Sequence, residues 1–136
     1  MKTLIVEDEL TSRLLLQGLL SRFGTCHTVS EGTEALEAFR IAAAQGEKYD
    51  LICMDIMMPG IDGAEIVKHI RNLEEGWGVR TNQGARIVMT TGVHDTREVF
   101  RSFHNLCDAY LKKPIDGKLL MAKLQEFRLV QGAAVR

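Results

Sequence analysis

Each of the side chains in this 136-residue chain that could do chemistry together sits where a short apolar run stops. Lys2–Val6 (KTLIV) runs into Glu7, Asp8 and Glu9, and LICM from Leu51 runs into Asp55. The run from Ala85 to Met89 ends in Thr90-Thr91-Gly92, and Ala109–Lys112 is cut off by Lys113-Pro114. Short apolar runs bounded by turn residues read as buried strands. A carboxylate at the mouth of such a strand must be neutralised, because burying it unpaired costs several kcal/mol. In an open α/β sheet the carboxyl ends of the strands are where ligands bind. Gathered there, Glu7, Asp8 and Asp55 would repel one another unless a cation sat among them. Oxygen donors with positions left open for water and phosphate suit Mg²⁺, or Mn²⁺, rather than zinc.

The elements that would position these groups follow from periodicity. After the first strand, Thr11 or Ser12 can start a helix whose Leu15, Leu16, Leu19, Leu20 and Phe23 share one broad apolar face. Leu10 and Leu14 fall off that face, either as ordinary filling or as contacts for a partner helix. A weak strand from Cys26 to Val29 leads to a helix over 31–45, ended by Gly46. The third strand ends at Asp55, and a third helix over 63–74 presents Ile66, Val67 and Ile70. The stretch EGWGVRTNQGAR over 75–86 is longer than the usual helix-to-strand connection. Its Trp77 is a loop anchor or an exposed contact rather than part of a cofactor site. A fourth helix is expected over 95–103, and Asp116 caps a last helix carrying Leu119, Leu120, Leu124 and Phe127. Strict strand–helix alternation argues for one parallel sheet with helices on both faces.

The length fits one domain. A formal charge of −1 and a pI near 6.4 give no electrostatic footprint for nucleic acid or an anionic membrane, so direct DNA binding is not expected. Cys26, Cys53 and Cys107 are odd in number and widely spaced, and read as small apolar residues in a reducing compartment. His27, His69, His94 and His104 share no spacing and read as surface residues. No signal peptide is visible and no apolar run is long enough to cross a membrane, so the expected location is the cytoplasm, without membrane insertion.

The run D55-I-M-M-P-G-I-D-G63, with the acidic pair Glu7-Asp8, the V-M-T-T-G strand end and the Y-L-K-K-P strand end, resembles the receiver domains of two-component response regulators. The likeness covers roughly residues 2–128. It implies a flavodoxin-like α/β fold, a single doubly wound five-stranded parallel sheet of order 2-1-3-4-5. It also implies a receiver domain over 1–128 and a tail over 129–136 with no output domain. Glu7, where aspartate is also common, and the long 75–86 stretch are the main departures.

By this resemblance Asp55 is the phosphoacceptor, a nucleophile that forms an acyl phosphate. Asp8, Asp55 and the backbone carbonyl of Met57 would hold Mg²⁺, with Glu7 acting through water. Lys113, next to the proline in a bond that is usually cis in the family, would pair with a phosphoryl oxygen. Thr91, the hydroxyl that directly precedes the small Gly92, would bond another. Movement of Thr91 toward the phosphoryl group and of Tyr110 into the vacated space would form the switch. The implied donor is a histidine kinase or a histidine-phosphotransfer protein. The implied readout surface is the fourth helix, fifth strand and fifth helix, with Arg97, Phe100, Arg101, Tyr110 and Lys118. Met57 and Val93 flank the site and cannot orient a hydrolytic water, so the phosphoryl group should be lost over minutes or longer.

Other classes fit less well. Aspartyl-phosphate hydrolases use a second aspartate two residues after the nucleophile, where this chain has Met57. A cofactor binder of flavodoxin type would want a phosphate cradle where Glu7, Asp8 and Glu9 stand. A phosphorylation-independent interaction module, or an intermediate in a phosphorelay, is the alternative reading. The expectation is therefore a signalling switch that modifies itself and does not turn over an external substrate.

Overall fold

The computed structural model describes residues 1–58, 63–80, 83–92 and 106–131. Its elements are β1 (Lys2–Val6), α1 (Leu10–Leu20), a 3₁₀ turn (Ser21–Phe23), β2 (Thr25–Val29), α2 (Gly32–Ala44), β3 (Leu51–Asp55), α3 (Gly63–Gly76), β4 (Arg86–Thr91), β5 (Ala109–Lys112) and a C-terminal helix (Gly117–Glu126). All strand pairings are parallel, and the sheet order is β2-β1-β3-β4-β5. The expected fourth helix over 95–103, with Arg97, Phe100 and Arg101, lies outside the described residues.

Strand alternation divides the core in two. Leu4, Val6, Ile52, Met54, Ile87 and Met89 pack on one face with Ala35, Phe39 and Ala42 of α2 and Ile66, Val67 and Ile70 of α3. Ile5, Leu51, Cys53, Val88, Ala109 and Leu111 pack on the other with Leu16 and Leu20 of α1 and Leu120 and Leu124 of the C-terminal helix. Burying each such leucine or isoleucine stabilises by roughly 1.5–3 kcal/mol against exposure, which fixes the register of the central strands. β3 is buried at every position, whereas β2 is an edge strand that is largely exposed.

Two local expectations need correction. Helix α1 begins at Leu10 rather than at Thr11 or Ser12, with Glu9 at the cap position and no side-chain cap; the Ser12 hydroxyl instead donates to the Glu9 carboxylate. Leu15 is exposed although its spacing sets it on the apolar face, because α1 meets the sheet through the narrower row of Ser12, Leu16 and Leu20. Leu10 and Leu14 are exposed by more than half. At the other end of the chain Asp116 caps as expected, accepting from the Lys118 amide at 2.8 Å.

The loop after α3 is anchored rather than loose. Trp77 stacks on Phe39 with ring centroids 5.7 Å apart. Arg71, partly buried in the last turns of α3, donates to Glu74, to the carbonyls of Ala85 and Leu106, and to Asp108. Glu74 and Asp108 in turn accept from the amides of Ala85 and Ile87. All three cysteines are free, and Cys53 is fully buried. His27 and His69 are exposed, His27 with Nδ1 2.7 Å from the Tyr49 hydroxyl; His94 and His104 lie outside the described residues.

Candidate functional site

The carboxyl ends of β1, β3 and β5 meet in the middle of one sheet edge. Glu7 follows β1, Asp55 closes β3 and Lys113 follows β5. Glu7 continues the alternation of Ile5, Asp55 that of Leu51 and Cys53, and Lys113 that of Ala109 and Leu111, so all three lean toward the α1 side. Glu7 and Asp55 are almost fully buried, while Asp8 is exposed. The chain is held close here. The Glu7 amide donates to Val29 O at 3.0 Å, the Ile56 amide to Thr90 O at 3.1 Å and the Lys113 amide to Thr91 O at 2.7 Å. Gly63 lets the start of α3 approach β3, for a Cβ there would lie 2.0 Å from the Asp55 carbonyl oxygen. The Lys113-Pro114 bond is cis.

The electrostatics are tight. Lys113 Nζ lies 3.0 Å from Asp55 Oδ2 and 2.7 Å from Glu7 Oε1. The Met57 amide donates to Asp55 Oδ1 at 3.1 Å, and the Glu9 amide to Glu7 Oε2 at 3.1 Å. The Lys113–Glu7 contact has ion-pair distance without hydrogen-bond alignment, so Glu7 Oε1 is a buried oxygen without a hydrogen-bond donor among the described residues. Burial pushes the Asp55 carboxyl up to about 7 from an ordinary 3.8, the Glu7 carboxylate adds to the rise, and Lys113 opposes it. For Lys113, burial works against the charge, but Glu7 and Asp55 outweigh it and hold the ammonium above its ordinary value.

Glu7, Asp8 and Asp55 each offer an oxygen, and these oxygens lie within 4.8 Å of one another. A hard divalent cation fits such a group: the donors are all oxygen, one buried oxygen lacks a hydrogen-bond donor among the described residues, and Asp8 is exposed on the open side. Thr90 and Thr91 are both buried. Register sets Thr90 beside Asp55 and Thr91 beside Lys112. Alternation places Thr91 on the face of Ile87 and Met89, against which Tyr110 also packs, partly buried.

The sequence therefore pointed to residues that do come together: Glu7, Asp8, Asp55 and Lys113 form one cluster, with Thr91 on the adjoining strand end. Met57 is exposed on its rim, and Val93 lies outside the described residues. Two supporting residues were missed. Arg13 donates to Glu7 O at 3.3 Å, and Glu9, exposed, is held below the usual carboxylate range mainly by the Ser12 hydroxyl. The run of consecutive acids could have suggested Glu9, but nothing local marks Arg13.

Known proteins resemble this chain in sequence and in fold. AfsQ1, a transcriptional regulatory protein of Streptomyces coelicolor, is 31% identical over 122 residues, covering 90% of this chain and 48% of its own length. PetR of Rhodobacter capsulatus is 33% identical over 121 residues, covering 89% of this chain and 46% of its own. The chain thus spans about half the length of these curated relatives. Among solved structures, the chemotaxis protein CheY4 of Vibrio cholerae superposes with a TM-score of 0.71 at 26% identity, covering 93% of this chain and 97% of that one. The BeF3-activated DrrB receiver domain, at 21% identity and a TM-score of 0.72 over 93% of this chain and 96% of that one, shares the fold. The family profile described as response regulator receiver domain matches residues 3–125, and with the acids, the threonine and the lysine on one sheet edge the chain belongs to the receiver domains of two-component response regulators.

Proposed function

We propose that this receiver is a phosphorylation-activated switch that takes a phosphoryl group onto Asp55. The observation that carries the reading is the placement of Asp55 Oδ2 3.0 Å from the Lys113 ammonium, beside the buried Glu7 and the exposed Asp8. An Asp55 oxygen attacks phosphorus, the bond from phosphorus to the donor's imidazole nitrogen breaks, and the imidazole leaves with its electron pair. Lys113 offers positive charge to the oxygens of the transferring group, and the Met57 amide steadies the other Asp55 oxygen. Asp8, Asp55 and the Met57 carbonyl would hold Mg²⁺, or Mn²⁺, with Glu7 through water. Bound there, the cation supplies compensating charge for phosphoryl transfer.

The donor is a histidine kinase or a histidine-phosphotransfer protein, met in the cytoplasm. Leu10 and Leu14 on α1 and Met57 at the rim are exposed apolar groups that such a helical partner could cover. Among the described residues no helix is long and apolar enough to cross a membrane. The signal passes from Thr91 to Tyr110, which share a sheet face, and on to a protein target through β5, the C-terminal helix and the segment before β5. Residues 1–128 act as the receiver unit, without direct DNA contact. Met57 and Val93 leave the acyl phosphate long-lived, over minutes or more.

Incubation with Mg²⁺ and acetyl phosphate, followed by intact mass, tests the acceptor. A gain of one phosphoryl group, absent in Asp55→Asn, supports it. No gain by the folded protein would assign it instead to phosphorylation-independent binding. For the switch, Tyr110→Ala should weaken target binding by the phosphorylated form, and unchanged binding would refute that route.

A further inference from the structure

We propose a second binding site, for a planar aromatic molecule bearing an anionic group, at the end of the sheet opposite Asp55. Asp50, just before β3, and Arg86, the first residue of β4, border a cavity of about 300 Å³ there. Its apolar wall combines the aromatic Phe39, Tyr49, Trp77 and Phe127 with aliphatic Val79 and Leu129. Trp77 lies nearly parallel to Phe39, at 16°, and remains 45% exposed, so the stack has an open side. A second hollow shares Trp77 and Lys48 with the first and adds Arg40. The indole therefore stands between two concave surfaces.

Charge decides what this wall would accept. The acids that line the cavity are engaged. Glu74 accepts from Arg71 at 2.7 Å and from the Ala85 amide at 2.8 Å, and Asp50 accepts from the Lys2 amide at 2.8 Å. Arg86 is paired with Asp108 at 3.2 Å. The side chains of Lys48 and Arg40, both exposed, make no ion pair or hydrogen bond with any described residue. What remains for an incoming molecule is the open face of Trp77, with Lys48 beside both hollows and Arg40 beside the second, their side chains unpaired among the described residues. A flat ring system gains from stacking on the open side of the indole. A carboxylate or similar group on that ring gains from Lys48 and Arg40, whereas a cationic ligand is repelled. The volume sits at the lower end of small-molecule sites and holds one ligand of that kind.

Titration of the ¹⁵N-labelled chain with 2-naphthoate, followed by NMR, tests the site, because Trp77 is the only tryptophan and its indole resonance is unambiguous. The expected result is a saturable shift of that indole and of the Lys48 and Gln83 amides. The double variant Arg40→Ala/Lys48→Ala, altered only at exposed positions, should bind 2-naphthoate at least fivefold more weakly. Uncharged 2-naphthalenemethanol should bind wild type and double variant alike, and Asp55→Asn should bind 2-naphthoate as wild type does. Absence of a saturable shift, shifts centred away from Trp77, or equal affinity of the double variant for 2-naphthoate would each overturn the proposal.

Discussion

The Lys113 ammonium lies 3.0 Å from Asp55 Oδ2, and the two residues, 58 positions apart in sequence, are brought together by β3 and β5 ending on one edge of the sheet. Both are largely buried, and the Glu7 carboxylate also lies on the same ammonium. Lys113 therefore offsets two buried acids at once.

Removing it should expose that debt. Lys113→Ala leaves Glu7 and Asp55 facing each other, and the expected cost in metal-free protein is about 1–3 kcal/mol. Urea melts in EDTA measure it, and millimolar Mg²⁺ should restore part of the loss. A variant as stable as wild type in EDTA would contradict the role given to the ion pair.

The pH dependence has a definite sign. Asp55 has a folded value of about 7, above the 3.8 of an ordinary aspartate, because of burial first and Glu7 second. The folded protein thus keeps a proton that the unfolded chain releases. Its contribution to stability is fully present below about pH 4 and is lost as pH rises through about 7. Metal-free wild type should lose about 1–3 kcal/mol relative to Asp55→Asn between pH 5 and pH 8. Paired melts at the two pH values check this, and a constant difference would count against it.

At Gly63 the contact is with backbone. A Cβ would meet Asp55 O at 2.0 Å and Asp55 C at 2.9 Å, neither of which can swing aside. Gly63→Ala should cost about 2–4 kcal/mol and slow phosphorylation from acetyl phosphate, since the strand end that carries Asp55 must shift. A thermal melt with a mass-based phosphorylation assay reads both effects.

Thr3 offers a stabilising change. Its side chain is fully buried in β1 and its hydroxyl has no hydrogen-bond partner among the described residues. Thr3→Val keeps the branched shape, removes that unsatisfied group and should raise stability by about 0.5–1.5 kcal/mol by urea melt. A destabilised valine variant would mean that the hydroxyl has a partner in solution.

What the sequence reveals is what local chemistry decides. β1 and β5 have the expected bounds because an apolar run meets acids in one case and Lys-Pro in the other. Asp55, Glu7, Asp8 and Lys113 are legible because charge has no other reason to follow buried strands. Leu15 is misleading because a helical wheel gives the apolar arc of α1 but not how much of it the sheet covers. The tie between Arg71 and Asp108 spans 37 positions, and no periodicity encodes it. The stacking of Trp77 on Phe39 likewise depends on how α2 and α3 lie side by side.

The Arg71 cluster has a consequence for hydrogen exchange. The amides of Ala85 and Ile87, at the start of β4, donate to side chains, Glu74 and Asp108, not to a neighbouring strand. Arg71 holds both of those carboxylates, and the Leu106 carbonyl as well. Protection of these two amides is therefore tied to the Arg71 guanidinium, with Arg86 a second partner of Asp108 at 3.2 Å. The end of α3 and the entrances to β4 and β5 should open to solvent as a single cooperative unit, separate from the strand ends around Asp55. A lysine at position 71, with one point charge in place of a planar fork, could not keep that unit closed.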